Sequence, residues 1–550
     1  MKIPILPALL LCTLTSGPCL HAQAAAQLWE KRYNGPGNDN DYARAVAVDT
    51  NGNVVVTGYS IGSGTSTYDY YTAKYAAANG VLLWEKRYNG PVGNRDDSVA
   101  VALDASGNVA VTGTSVGLKG PDYYTAKYAA TDGALLWEKR YNSPVNEKDQ
   151  ARAITLDASG NVIVTGTSIV SLMPIIASDY YTAKYAAADG ALLWEKRYNA
   201  TGTASGIGLS VGVDATQNVI VTGAATPAIA SGSNYDYYTA KYAAATGALL
   251  WEKRYNGLGN GGDYPSGMAV DASGNAVVTG VSTGSGSTYD YYTAKYAAAN
   301  GALLWERRYH GPGNGDDFAR AVTVDASSNV IVTGGSRDSG NNLDYYTAKY
   351  AAVDGALLWE KRYNGPENGD DDANAVVVDT SGNVIVTGYS IGSESSNDYY
   401  TAKYAATDGA LLWEMRFSGA GSSSTDFSRA IAVDGSGNVI ITGDSKGNGQ
   451  DYYTVKYSAL PLVDYAFGLD PSNGSSQLPQ WEVRNGTIST TFTQPPGIVS
   501  GITYGAEWTT DLTVYPWTPI PDSGTGGTHT FSVPIGPEPR KFFRFIVSQP

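Results

Sequence analysis

The sequence is poor in the residues that do most enzyme chemistry. Its 550 residues include two cysteines and three histidines. Both cysteines, Cys12 and Cys19, fall in an opening segment that reads as a secretion leader. Lys2 is followed there by an apolar run from Ile3 to Leu14 and by small residues through Ala22, Ala24, Ala25 and Ala26. Removal of residues 1–26 leaves a chain with no disulfide, no thiolate ligand and no cysteine nucleophile. The histidines are scattered: His21 in the leader, His310 in a loop where most repeats carry Asn, and His529 near the end. They form no Ser-His-Asp set and no histidine metal cluster. Positive charge is short as well, with 37 Lys and Arg against 52 Asp and Glu. A net charge of −15 argues against a nucleic-acid surface. No later run reaches the roughly 20 apolar residues that a membrane span needs.

What the sequence has is repetition. Trp29, Trp84, Trp137, Trp194, Trp251, Trp305, Trp359 and Trp413 recur every 53 to 57 residues, and Glu follows each. Each repeat holds four short segments, such as AVAVD (45–49), NVVVTG (53–58), DYYTAKY (69–75) and LLWEKRYNG (82–90). All are rich in β-branched or aromatic residues and bounded by Gly, Asn, Asp or Ser, with no helical period. Four strands per unit and eight units predict an all-β fold, an eight-bladed β-propeller of four-stranded blades. The chain opens on LWEKRYNG (28–35) and its repeats end on DYYTVKY (451–457). The amino-terminal strand is therefore expected to complete the last blade and close the ring. Small residues at Ala43, Ala45 and Ala47 mark the AVAVD strand as innermost, with Val46 and Val48 on its other face. An even-length hairpin after Tyr75 would group Tyr71, Ala73, Tyr75, Trp84 and Tyr88 on one face against Lys74, Glu85 and Arg87 on the other. Residues 461–550 leave the pattern, and their short alternating segments, such as HTFSVPI (529–535) and KFFRFIV (541–547), predict a small β-sandwich after a propeller spanning 27–460.

The composite repeat DYYTAKYAADGALLWEKRYNGP…AVAVDASGNVIVTG resembles the SBBP-type β-propeller repeat of secreted bacterial proteins, over residues 28–457. The stretch AATDGALLW (129–137) is similar to the tryptophan-docking motif of quinoprotein propellers. The resemblance implies a propeller outside the cytoplasm and names no shared activity. A quinoprotein dehydrogenase of the vicinal-cysteine type does not fit a mature chain without cysteine.

Candidate sites divide by how far they repeat. The D-x-S-G-N motif, as at Asp104 to Asn108 or Asp157 to Asn161, has the composition of a tight turn, since Gly and Asn tolerate positive φ and Asp and Ser bond nearby N–H groups. No glutamate follows at the spacing of a calcium-binding EF-hand loop. Eight residues before the turn aspartate stand Asp41, Asp96, Asp149, Asp263, Asp317, Asp371 and Asp426, with Gly206 in the fourth repeat. Seven carboxylates around one mouth of a channel could bind Ca²⁺ or a cationic ligand, or could each hydrogen-bond their own loop. Asp39, Asp97, Asp316, Asp370 and Asp372 add to the acidity. The connection from VTG to DYY varies from seven to twelve residues and falls on the same face. One such loop carries Met173, Ile175 and Ile176, a candidate contact patch. The tyrosines recur at strand spacing, which assigns them to packing, and Lys74, Glu85 and Arg87 read as a solvated rim.

These readings favour a non-enzymatic, monomeric scaffold outside the cytoplasm, holding a protein or glycan on its acidic, variable-loop face. No cofactor is implied beyond Ca²⁺. The alternatives are a carbohydrate-active enzyme with a carboxylate pair in the channel, and a spacer with no ligand.

Overall fold

The computed structural model of the chain describes residues 24–64, 66–171, 177–198, 205–226, 234–286, 288–392, 396–419, 425–447, 449–467, 478–484, 487–509, 517–534 and 542–549. Nearly all of the leader, and Met173, Ile175 and Ile176, lie outside the described residues.

The β-branched and aromatic segments of each repeat form strands, and the Gly, Asn and Asp clusters between them form turns. In the first repeat these are β1 (Ala25–Tyr33), β2 (Asp41–Val48), β3 (Val54–Ile61), β4 (Tyr68–Tyr75) and β5 (Leu82–Tyr88). β2 to β5 make one four-stranded sheet, and among the described residues there are eight such sheets, all paired antiparallel within each repeat. The last is completed by β1, which lies along Gln450–Pro461 with Trp29 opposite Lys456 and Tyr33 opposite Tyr452. The fold is thus all-β, built of repeated four-stranded sheets of the kind a β-propeller uses. The first strand of each sheet lies against the first strands of its neighbours, and β2 lies against Phe427–Val433 of the last sheet. That contact series makes β2 and its counterparts the innermost strands and β5 and its counterparts the outermost.

Two bulges per sheet overturn the expected side-chain faces. In the outer hairpin, Tyr75 pairs with Leu82 but Lys74 pairs with Trp84, so one extra residue sits at Leu83. A one-residue insertion flips every side chain beyond it. Trp84 therefore shares a face with Lys74 and Tyr70, while Glu85 and Arg87 stand opposite Ala73 and Tyr71. The aromatic set is split between the two faces of each sheet. Tyr70 meets Tyr124 of the following sheet edge-on, and Tyr71 stacks on Tyr33 of the preceding one at 3.9 Å. In the inner strand a second bulge at Arg44 separates Ala43 from Ala45 and places Ala43 in one cluster with Val46 and Val48. Gly58 faces this bulge. A Cβ there would lie 2.0 Å from the Tyr42 carbonyl oxygen and 2.5 Å from the Tyr452 hydroxyl, which is why the VTG motif ends in glycine.

Beyond Pro461 the chain makes a short helix, Leu462–Ala466, and two three-stranded sheets. Residues of both sheets, among them Tyr504, Ala506, Phe531 and Val533, share one core with Ala466 and Phe467. Gln549 exchanges two hydrogen bonds with the Gln27 backbone, which ties this module to β1.

Candidate functional site

The two ends of the molecule are built differently. At one end the D-x-S-G-N turn is held by its own aspartate: Asp49 accepts from the backbone N–H groups of Asn51 and Asn53 and from the Asn53 side chain. The same carboxylate pairs with Lys74 at 2.8 Å, and both side chains are almost fully buried. Lys74 also donates to the Ala130 carbonyl of the next sheet, as does the Trp84 indole. Burial alone would raise the Asp49 carboxyl, but Lys74 and Asn53 hold it below its usual range. The pair recurs in every repeat, from Lys127 with Asp104 to Lys456 with Asp434. Lys74 is therefore no solvated rim residue: the outer bulge turns it inward, where it joins two sheets through a buried charge. Arg87 is likewise no free rim residue, although it reaches toward the other end of the sheet, where it binds Asp69, Ser60 and the Tyr33 hydroxyl; Glu85 accepts from Tyr71. The uniformity of the turn end follows from its repeated Lys–Asp–Asn contacts.

At the other end lie the connections into the inner strands and the VTG-to-DYY loops. Asp41, Asp96, Asp149, Asp263, Asp317, Asp371 and Asp426 are fully buried there. One oxygen of each accepts the N–H of the residue six or seven before it: Gly35, Gly90, Ser143, Gly257, Gly311, Gly365 and Gly419. In five of them the second oxygen accepts an N–H twenty residues on, as Asp96 does from Val116 and Asp371 from Ile391. The ring aspartates are thus placed as loop caps. Among the described residues, Asp317 alone of the seven belongs to a group of three His, Cys, Asp or Glu side chains with ligand atoms close together. Burial pushes the Asp41 carboxyl up to about 6, opposed by hydrogen bonds from Ser60 and Gly35 and aided by nearby Asp451. Asp96, Asp149 and Asp263 are raised mainly by burial too, each with a small push from an aspartate of the preceding sheet.

The fourth repeat shows that this cap is a coupled pair. Asp41 stands opposite Ser60, and Asp96 opposite Ser115, whereas Gly206 stands opposite Ala225. The acid and its hydroxyl partner are lost together. The neighbouring acids are also largely committed: Asp97 pairs with Arg95, Asp372 with Arg320, and Asp316 and Asp370 accept backbone N–H groups of Tyr289 and Leu343. Asp39 stays exposed.

Side chains that the repeat pattern hides make the surface of this end distinctive. Tyr42, Tyr59 and Tyr68 pack together with ring centroids 5.0 to 6.0 Å apart. Arg44 and Arg95 lie over their faces. Tyr264 sits between Tyr235 and Tyr289 in a second group, and Arg320 and Arg429 cover Phe318 and Phe427. None of these rings occupies a DYY or RY position. Counting tyrosines by repeat assigns them all to packing; subtracting the repeated positions leaves these. His310 also breaks symmetry: its Nδ1 lies 2.9 Å from Asp290 Oδ1 and 3.8 Å from Asp317 Oδ2.

Comparison with known proteins places the fold and little more. The sequence family described as outer membrane protein assembly factor BamB matches residues 293–477, well under half of the chain. No curated protein matches the sequence. Among solved structures, Sqt1 from Chaetomium thermophilum, bound to the N-terminus of ribosomal protein L10, is 11% identical with a TM-score of 0.50 and covers 79% of this chain and 100% of its own. BamB from Moraxella catarrhalis is 15% identical over 79% of this chain and 98% of its own, with a TM-score of 0.42. The quinohemoprotein alcohol dehydrogenase of Comamonas testosteroni is 10% identical over 80% of this chain and 77% of its own, with a TM-score of 0.46. At such identity the Sqt1 match speaks to the propeller fold alone, and the other two add nothing to it. No helix among the described residues is long and apolar enough to cross a membrane.

Proposed function

We propose that the chain is a secreted, non-enzymatic scaffold: one eight-bladed propeller, closed by β1, that holds a protein or glycan on its variable-loop face. The observation that carries this is the asymmetry of the two ends. One end repeats the same Lys–Asp–Asn contacts in every sheet. The other keeps its caps buried and presents what differs between repeats, above all the half-buried Tyr42 and Tyr68, packed on a buried Tyr59, with Arg44 and Arg95. Aromatic faces beside guanidinium groups suit sugar rings and peptide side chains alike, because both combine apolar contact with directed hydrogen bonds. The acidity of this face is a minor part of the surface, since most of its carboxylates are paired or capped.

The test is a binding screen of residues 27–550 against oligosaccharide and peptide panels. A ligand whose affinity falls at least about tenfold in Tyr42→Ala or Arg95→Ala, but not in Asp132→Ala at the opposite end, is the expected result. A ligand that maps to the opposite end, or turnover of a polysaccharide, overturns the reading.

A further inference from the structure

We infer that Asp290, His310 and Asp317 form a binding site for a divalent cation of the zinc class, found only at the junction of the fifth and sixth repeats among the described residues. Their ligand atoms, one from each, lie within 4.8 Å of one another, the only such group among the described residues. A tetrahedral ion with bonds of about 2.0 Å sets its ligand atoms about 3.3 Å apart. The two distances from His310 Nδ1, 2.9 and 3.8 Å, bracket that spacing.

The site departs from the repeat in a way packing does not require. In four other repeats the residue at this place is Asn34, Asn142, Asn256 or Asn364, and its amide donates to the asparagine four residues on. The fifth repeat keeps that acceptor position as Asn314, yet His310 turns away to the carboxylates. The aspartate oxygen it meets has a telling counterpart elsewhere: in Asp69, Asp344, Asp398 and Asp451 the equivalent Oδ1 is buried with no hydrogen-bond partner. An orphaned carboxylate oxygen beside a second buried aspartate is a standing electrostatic cost, and among the described residues only His310 brings an imidazole nitrogen to such a pair.

The ligands are held from behind. Arg308 binds the far oxygen of Asp290 at 2.8 Å and the Arg337 N–H donates to the far oxygen of Asp317, while the Gly311 N–H donates to the Asp317 oxygen that faces His310. Such outer partners fix the direction of metal ligands. The His310 side chain is 48% exposed and borders a cleft of about 380 Å³ lined by Ser285, Thr288 and Asn314, so one coordination position faces solvent. One imidazole and two carboxylates select zinc or a neighbouring transition metal over calcium, which takes six to eight oxygens.

The experiment is calorimetric titration of the tag-free chain with Zn²⁺, repeated with Ca²⁺ and with Co²⁺ as a spectroscopic substitute. Uptake of one equivalent of Zn²⁺, a tetrahedral Co²⁺ spectrum, and loss of both in His310→Asn are expected. That variant restores the residue most repeats carry, so its apo melting temperature should match the parent. His529→Asn, which removes the other mature histidine, should leave uptake unchanged. No Zn²⁺ uptake by the parent, uptake unaltered by His310→Asn, or displacement of Zn²⁺ by an equal concentration of Ca²⁺ overturns the assignment.

Discussion

At the scale of the residue, the chain uses one amino acid in two opposite electrostatic settings. Aspartates of the D-x-S-G-N turns, such as Asp49 and Asp104, are held below their usual range by Lys74 and Lys127 against the effect of burial. Ring aspartates such as Asp41 and Asp371 are raised, because burial outweighs their neutral donors. The consequences for stability have opposite signs. A lowered folded pKa contributes stability above the unfolded value that is lost as pH falls through the folded pKa. A raised one contributes stability present below the unfolded value of about 4, lost as pH rises to the folded value of about 6 for Asp41. The melting temperature should therefore peak between about pH 4 and 5 and decline toward neutrality. Asp41→Asn keeps the acceptor for Gly35 and removes the desolvated charge. It should stabilise the protein by about 1–3 kcal/mol at pH 7 and by nothing at pH 4, as read from denaturant unfolding at both values. Equal effects at the two pH values would show that the charge of Asp41 is not the cause.

At the scale of the element, the strand pattern was legible and the register was not. Alternation of Tyr, Thr and Lys in DYYTAKY marks a strand whichever way it faces, but faces across a hairpin depend on a count that composition does not reveal. The extra residue at Leu83 reverses Trp84 and Tyr88 relative to Tyr71 and carries Lys74 into a buried pair instead of a rim. The bulge at Arg44 does the same to Ala43 and its neighbours. In the candidate site, the caps at Asp41 and its counterparts were visible as one of two alternatives. The tyrosine group at Tyr42 was masked by the 41 tyrosines around it, and Asp290 gave no sign that a fold would bring it to His310. The VTG glycine provides a test of the inner bulge. Gly58→Ala places a methyl against the Tyr42 carbonyl and the Tyr452 hydroxyl, neither of which can move without shifting a strand. A loss of about 1–3 kcal/mol is expected, the usual cost of overpacking, whereas Gly64→Ala, where a Cβ meets nothing within 4 Å, should cost less and act only through its φ of +70°.

At the scale of the whole molecule, β1 touches three parts of the fold at once: the last sheet, the first sheet and the carboxy-terminal module. It supplies the fourth strand of the last sheet. Its Trp29 indole donates to the Ala77 carbonyl of the first sheet. Ala24 accepts from Leu462, and Gln27 binds Gln549, of the carboxy-terminal module. In the proposed ring this strand is the latch, and its side-chain contacts within the last sheet come from residues more than 410 positions away in sequence. Closing so long a loop carries an entropic cost that no local contact offsets, which makes the latch a late, cooperative step. A chain beginning at Asn34 would leave Gln450–Pro461 as an open edge, with its N–H and C=O groups available to another copy. Such a truncated chain is expected to melt in two transitions instead of one and to form dimers or larger species in light scattering. A synthetic peptide of residues 25–34 added in excess should restore one transition and the monomer, because it supplies the missing pairing without the covalent link. A truncated chain that stays monomeric and melts like the parent would show that the ring does not depend on β1.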